Sequence, residues 1–349
     1  MINSDKRMAT APGERGEPEV EEAFDRLVAE GSDRLGRPLL ALMTTGFLGG
    51  VDIGVGVLAY LMVDDKTGQP LLGALAFTIG FIALLLARSE LFTENFLVPV
   101  TARVAGRGSW FQLVRLWLVT LTANLAGGLL MAGMIVVALP EVRSTAASLG
   151  RHYATLGVSW RSLLLAVLAG AVITLLTRMQ HATDDFGPKI VAAVAMSFVL
   201  VAAQLFHSVL DSVFMFTGLL GGRATYTWAD WAGALGWSAL GNMIGGVGLV
   251  TSIRLLRVPH RVREERANQL PGTVSWCPGV DGAVGWGGPR CRRPVNPGCG
   301  AVGRRPALPS SRWATVPHQW PHSGPAPAGI SVLPARTSGR ACPPRGPWR

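Results

Sequence analysis

The chain has 349 residues, of which 49% are hydrophobic and only 15% charged, with 43 glycines and a formal net charge of +10. That balance excludes an ordinary soluble enzyme and places the chain among integral membrane proteins. The positive charge is not a nucleic-acid signal, because it is confined: Pro271 to Arg349 holds ten arginines, one acid (Asp281) and no lysine, and the rest is near neutral.

The first thirty residues are polar and acidic, without the apolar core of a cleavable leader. Phe24, Leu27, Val28 and Leu35 share one helical face, which predicts a short amphipathic helix within a polar segment, 1–34, ahead of the membrane unit. Solvation on the cytoplasmic face and a gating role both suit it.

A transmembrane helix needs about 20 mostly apolar residues. Six stretches qualify within 35–257: about 39–62, 71–104, 110–139, 160–178, 188–221 and 229–255. The second carries an interruption, ARSELFTEN (87–95), and the fifth another around LFHS (205–208). The connections hold turn and charge chemistry, such as VDDKTGQP (63–70) and HATDDFGPK (181–189). An even number of spans puts both termini on one side. If that side is cytoplasmic, ten Lys and Arg flank the inner ends and five the outer, which favours this orientation in a plasma (inner) membrane. Trp110, Trp160 and Trp228 stand at span ends, as in an aromatic belt.

Two motif pairs recur in order: LFT (91–93) with LFH (205–207), and NLAGG (124–128) with NMIGG (242–246). The offsets, 114 and 118 residues, divide the unit into two three-helix halves. Three is odd, so the halves must be inverted, an arrangement that puts a pathway at paired breaks. The Asn-x-x-Gly-Gly segments read as packing seams, in which small residues admit close approach and a buried amide ties helices together.

The residues AFTIGFIALLLARSELFTEN (76–95) and LFHSVLDSVFMF (205–216) resemble the formate/nitrite transporter family over about 35–257. The resemblance implies an all-α, aquaporin-like protomer with broken second and fifth helices. It also implies a homopentamer with one pore per protomer, passing small monovalent anions or their conjugate weak acids. By the same resemblance, Thr93 and His207 mark the pore centre, and Phe77, Phe81, Leu200 and Phe92 form hydrophobic constrictions. Read from the residues alone, His207 suits two roles equally, a pore group or a histidine bonded to the freed backbone of a broken helix.

Three charged residues depart from the family pattern, Arg88, Glu94 and Asp211, and with Glu90 they are the candidate pore charges. Arg88, Glu90 and Glu94 are expected to form an ion-pair cluster holding the first interruption, with Asp52 as a further partner. Asp211, four residues after His207, is expected beside the imidazole on one helix face, holding it as a cation. These charges leave open a same-fold pore for a neutral or differently charged solute, or a non-conducting scaffold or sensor.

Beyond 257, a Pro/Gly/Arg-rich tail (258–349) reads as disordered. Its Cys277, Cys291, Cys299 and Cys342 lack zinc-ligand spacing. With no metal-ligand spacing, nucleophile motif or phosphate loop, the sequence points to a non-enzyme without a cofactor, whose partners are the bilayer and a small solute rather than nucleic acid.

Overall fold

A computed structural model of the chain describes residues 18–269. The cysteines, residues 1–17 and the sequence from 270 on lie outside these described residues. The described part is entirely helical: α1 (Pro18–Gly36), α2 (Leu39–Thr67), α3 (Pro70–Ala87), a 3-10 turn (Phe92–Phe96), α4 (Val98–Val104), α5 (Trp110–Ala138), a second 3-10 turn (Pro140–Val142), α6 (Arg143–Thr155), α7 (Trp160–Gln180), α8 (Phe186–Ala202), α9 (Ser208–Leu220), α10 (Trp228–Met243), a π-helical stretch (Ile244–Thr251), α11 (Ser252–Leu255) and α12 (Pro259–Ala267).

Local chemistry sets the ends. Ser109 caps α5, accepting from Gln112 N at 3.2 Å while Gln112 Oε1 accepts from Ser109 N at 2.7 Å. Ser159 with Ser162 and Thr227 with Asp230 do the same for α7 and α10. Gly68, with φ of 63°, closes α2 in the left-handed region, and Pro70 opens α3 two residues on.

Among the described residues, five helical stretches, starting at Leu39, Pro70, Trp110, Trp160 and Trp228, are long and apolar enough to cross a membrane. Phe186–Ala202 and Ser208–Leu220 are apolar but shorter, being two pieces of one hydrophobic stretch divided at Ala203–His207. Leu40, Phe111, Val137 and Val191 are exposed, as suits surfaces facing acyl chains.

α1 is the expected amphipathic helix. Phe24, Leu27, Val28 and Leu35 are all buried, against Ala105 and Val258, against Leu97 and Val98, and against Val100 and Leu113. The tail was expected to begin at 258, but that boundary is too early, because α12 follows Val258 and is tied to α1. Arg261 pairs with Asp25 at 2.6 Å, and His260 Nε2 with Glu21 at 3.1 Å. Polar composition misled here because this helix is held by charge rather than by an apolar stripe.

The seams at Asn124 and Asn242 are close backbone approaches. A Cβ on Gly50 would collide with Asn124 O, and one on Gly170 with Asn242 O. The same contacts thus recur in two halves of the unit. The bonds at the two breaks correct one sequence pairing: LFT and LFH align at 114 residues, whereas Glu90 and Phe206, and Phe92 and Ser208, make matching bonds at 116.

Candidate functional site

Both breaks begin alike. Arg88 and Gln204, 116 residues apart, are the only non-glycine residues with positive φ, 54° and 49°, among the described residues. Each ends its helix in a Schellman pattern. Ser89 N donates to Leu84 O at 3.2 Å and Arg88 N to Leu85 O at 3.4 Å; Leu205 N donates to Leu200 O at 3.1 Å and Gln204 N to Val201 O at 3.0 Å.

A helix broken in an apolar setting must find partners for its freed backbone groups. One asparagine serves each break. Asn124 Nδ2 donates to Gly46 O (2.6 Å) and Glu90 O (2.8 Å), while its Oδ1 accepts from Phe92 N (2.8 Å). Asn242 Nδ2 donates to Ala166 O and Phe206 O, both at 2.9 Å, and its Oδ1 accepts from Ser208 N (3.0 Å). The seam reading of the sequence therefore holds, and the amides also clamp the loops.

The two breaks meet at a buried contact, where Thr93 Oγ1 and His207 Nε2 lie 3.0 Å apart, both fully buried. His207 is the N-cap of α9, and its Nδ1 accepts from Leu210 N at 3.1 Å. That bond needs a lone pair on Nδ1, so the neutral ring carries its proton on Nε2 and donates to Thr93 Oγ1. A second ring proton would turn one N–H against another.

Asp211 is not beside the imidazole. Its Oδ2 accepts from the backbone N of His207 at 2.7 Å. The spacing of four was read correctly, but His207 is the extended cap residue and its ring turns toward Thr93, which leaves its amide to the carboxyl. Glu94 has a weaker counterpart role at the first break, its Oε2 accepting from Leu91 N at 3.5 Å.

The expected cluster of Arg88, Glu90 and Glu94 is not formed. Glu90 is buried and pairs with Arg37, just ahead of α2, while Arg88 is exposed and Glu94 is buried at the loop. Arg88 stands at the left-handed end of α3, where it is exposed. Asp52 does not join the three, and its Oδ2 is buried without a hydrogen-bond partner.

Phe77, Phe81, Leu200 and Phe92 are buried in one apolar cluster with Phe206 and Phe214. The Phe77 and Phe81 rings are 5.9 Å apart, Phe77 also packs on Gly56, and Phe92 meets Phe96 edge-on at 5.0 Å.

A cavity of about 580 Å³ reaches Glu94, the residue next to Thr93. Its wall comes from α1, Arg37, the end of α3 with the first break, the end of α7 and the start of α8. Apart from His181, it presents five cations (Arg26, Arg34, Arg37, Arg88, Lys189) and five carboxyls (Glu30, Asp33, Glu90, Glu94, Asp184). Glu30 on α1 accepts from Arg34 Nε at 3.0 Å and bonds His181 Nε2 at 2.8 Å, while Arg34 Nη1 donates to Asn95 Oδ1 at 3.0 Å. Burial raises the Glu30 carboxyl, but the His181 bond and the Arg34 charge outweigh it and hold it down at about 2.

Sequence reasoning missed the links from α1 to the first break and the role of Tyr153, which stacks on Phe206 with ring centroids 6.3 Å apart. Neither has a local signal, since both depend on residues far apart in the chain.

Three comparisons bear on this site. The sequence profile described as "Formate/nitrite transporter" matches residues 21–256. The formate channel BtFdhC of Bacillus thuringiensis is 26% identical over 249 residues, 66% of this chain and 92% of that protein. Among solved structures, an FNT family ion channel matches at a TM-score of 0.60 with 19% identity, over 67% of this chain and 98% of its own. A pentameric formate channel with formate bound matches at 0.52 with 20% identity, over 62% and 96%. At these identities the two structures bear on the fold alone.

Proposed function

This chain belongs to the formate/nitrite transporter family, and from that premise we propose that residues 35–257 form a channel or transporter for a small monovalent anion or its conjugate weak acid. Formate is the first solute to test, since the relative above is a formate channel. The observation that carries the reading is the fully buried Thr93–His207 contact where the two breaks meet.

The proposed unit has six spans, two inverted three-helix halves in an aquaporin-like arrangement, with α3/α4 and α8/α9 as the broken second and fifth spans. The recurring clamps at Asn124 and Asn242 support this. Five-against-ten flanking charge supports cytoplasmic termini in the plasma membrane, and the pentameric formate channel of similar fold supports a homopentamer.

The mechanism follows from the cost of desolvation. Moving a bare carboxylate into an apolar constriction carries a nominal cost of tens of kcal/mol, so the group neutralises instead. Solute enters the cavity by α1 and passes between Phe77, Phe81, Phe92 and Leu200 as a weak neutral acid. At the centre, the Nε2–H of His207 and the Thr93 hydroxyl exchange their mutual bond for bonds to its oxygens.

The test is flux in proteoliposomes holding the full chain, with gradients of formate, nitrite, hydrosulfide, acetate and glycerol at pH about 5.5 and about 7.5. His207→Ala runs alongside. Saturable acid flux that fails in the variant is expected. Glycerol flux without acid flux would move the assignment to a neutral-solute pore. No flux from folded protein, variant and wild type alike, would leave a closed scaffold.

A further inference from the structure

We infer that the C-terminal ends of α7 and of the last span (Trp228–Leu255) together bind an anionic phospholipid, with its phosphate at Arg178, Arg254 and Arg257 and an acyl chain in the groove between the two helices. The inference needs the chain to sit in a bilayer and does not depend on what it conducts.

The α7 sequence builds one wall. Leu168, Ala171, Val172 and Leu175 recur at helical spacing on one face, and Arg178 follows Leu175 by one turn on that face. The other wall is built alike, with Leu249, Val250 and Ile253 leading to Arg254 and, one turn beyond Ile253, to Arg257. These apolar residues, with Arg254 and Arg257, line a groove of about 450 Å³. Leu168, Leu249 and Ile253 are about half exposed, so the groove opens on the surface that faces acyl chains. Part of its second wall is the π-helical stretch, a rare form that gathers at functional sites.

A smaller pocket of about 30 Å³ shares Arg254 and Arg257 with the groove and adds Arg178. Three arginines line it and no carboxylate does. Elsewhere Arg34, Arg37, Arg107 and Arg261 pair with Glu30, Glu90, Glu265 and Asp25. Arg178 and Arg254 take part in no ion pair among the described residues, and Arg178 Nη1 is buried without a hydrogen-bond partner. Charges left unpaired at a membrane boundary are costly, and guanidinium groups match phosphate oxygens in geometry as well as in sign.

Charge and groove together select the occupant. Free phosphate would leave the groove unused, and a zwitterionic headgroup would bring its own cation to the arginines. With the termini cytoplasmic, as proposed above, the site faces the leaflet rich in anionic lipid.

The test uses full-length protein in detergent, titrated with phosphatidylglycerol, with phosphatidylcholine of the same chains, and with inorganic phosphate. The readouts are the thermal midpoint and, by native mass spectrometry, the lipid retained. Phosphatidylglycerol should be retained and raise the midpoint, and the other two should not. Arg178→Gln and Arg254→Gln should each weaken this binding about tenfold. Arg263→Gln, which removes an exposed arginine outside both cavities, should leave it unchanged. The arginines beyond residue 270 are present in every protein compared, so binding by them is common to all. Equal stabilisation by phosphatidylcholine or phosphate, or a loss in Arg254→Gln no greater than in Arg263→Gln, overturns the inference. So does dissociation of an oligomer by Arg254→Gln without lipid, which would give this face to a second copy of the chain. If one of the two site variants does not fold, the other still decides.

Discussion

The two breaks face the same backbone problem and sit in different surroundings. Both start at a left-handed residue and both are clamped by an asparagine that satisfies two carbonyls and one N–H. The second, Ala203–His207, is short, and its Phe206 lies against the Tyr153 ring. The first is longer, borders the cavity and is wired to α1 through Arg34–Asn95 and to the start of α2 through Arg37–Glu90. Backbone satisfaction sets the shape of a break, and the neighbouring elements set whether anything can reach it.

The largest expected effect comes from removing the clamps. Asn124→Leu and Asn242→Leu each strand three buried backbone groups, at about 1–3 kcal/mol for each group left unpaired. Thermal unfolding in detergent should show both variants strongly destabilised, Asn242→Leu more so, because water from the cavity can reach the first break. Equal losses would remove the distinction between the breaks.

Next come the seams. Gly50→Ala and Gly170→Ala push a Cβ into Asn124 O and Asn242 O, and overpacking of this kind costs about 1–3 kcal/mol. The thermal midpoint should fall by similar amounts in the two, since the helix contact is the same in both halves.

A smaller effect belongs to the first break alone. Arg37→Gln leaves the Glu90 carboxyl buried without its cation, so the protein should lose stability, and adding Glu90→Gln should restore most of it. A double variant no better than the single would show that the pair does not hold this loop.

The smallest concerns α1. The Glu30 carboxyl, at about 2 when folded against an ordinary 4.5, favours the docked state above pH 4.5, and this contribution is lost as pH falls toward 2. The protection of the α1 amides, taken relative to their intrinsic exchange at each pH, should therefore fall over that window. Glu30→Gln should flatten the response and leave α9 unchanged.

Much of this was legible in the sequence. Hydropathy located the apolar helices within a few residues but not α6 or α12, and an arginine and two glutamates inside an apolar run marked the first break. The charged residues were misassigned, because sequence spacing says which residues share a helix face but not where a helix ends. His207 became a cap rather than a helical residue, and so Asp211 met its amide instead of its ring. Arg88 became the left-handed end of α3, and Glu90 found Arg37, 53 residues earlier.

The sequence by itself determined that the chain is helical and apolar, where two helices break, and that Asn-x-x-Gly-Gly recurs at matching places, since these depend on composition and local periodicity. Tertiary structure alone decided that Thr93 meets His207, that the asparagines hold the loops, that α1 lines the cavity, and that α1 pairs with α12. Those outcomes depend on bonds between residues tens to hundreds of positions apart, and a buried polar group takes whichever partner packing brings within reach.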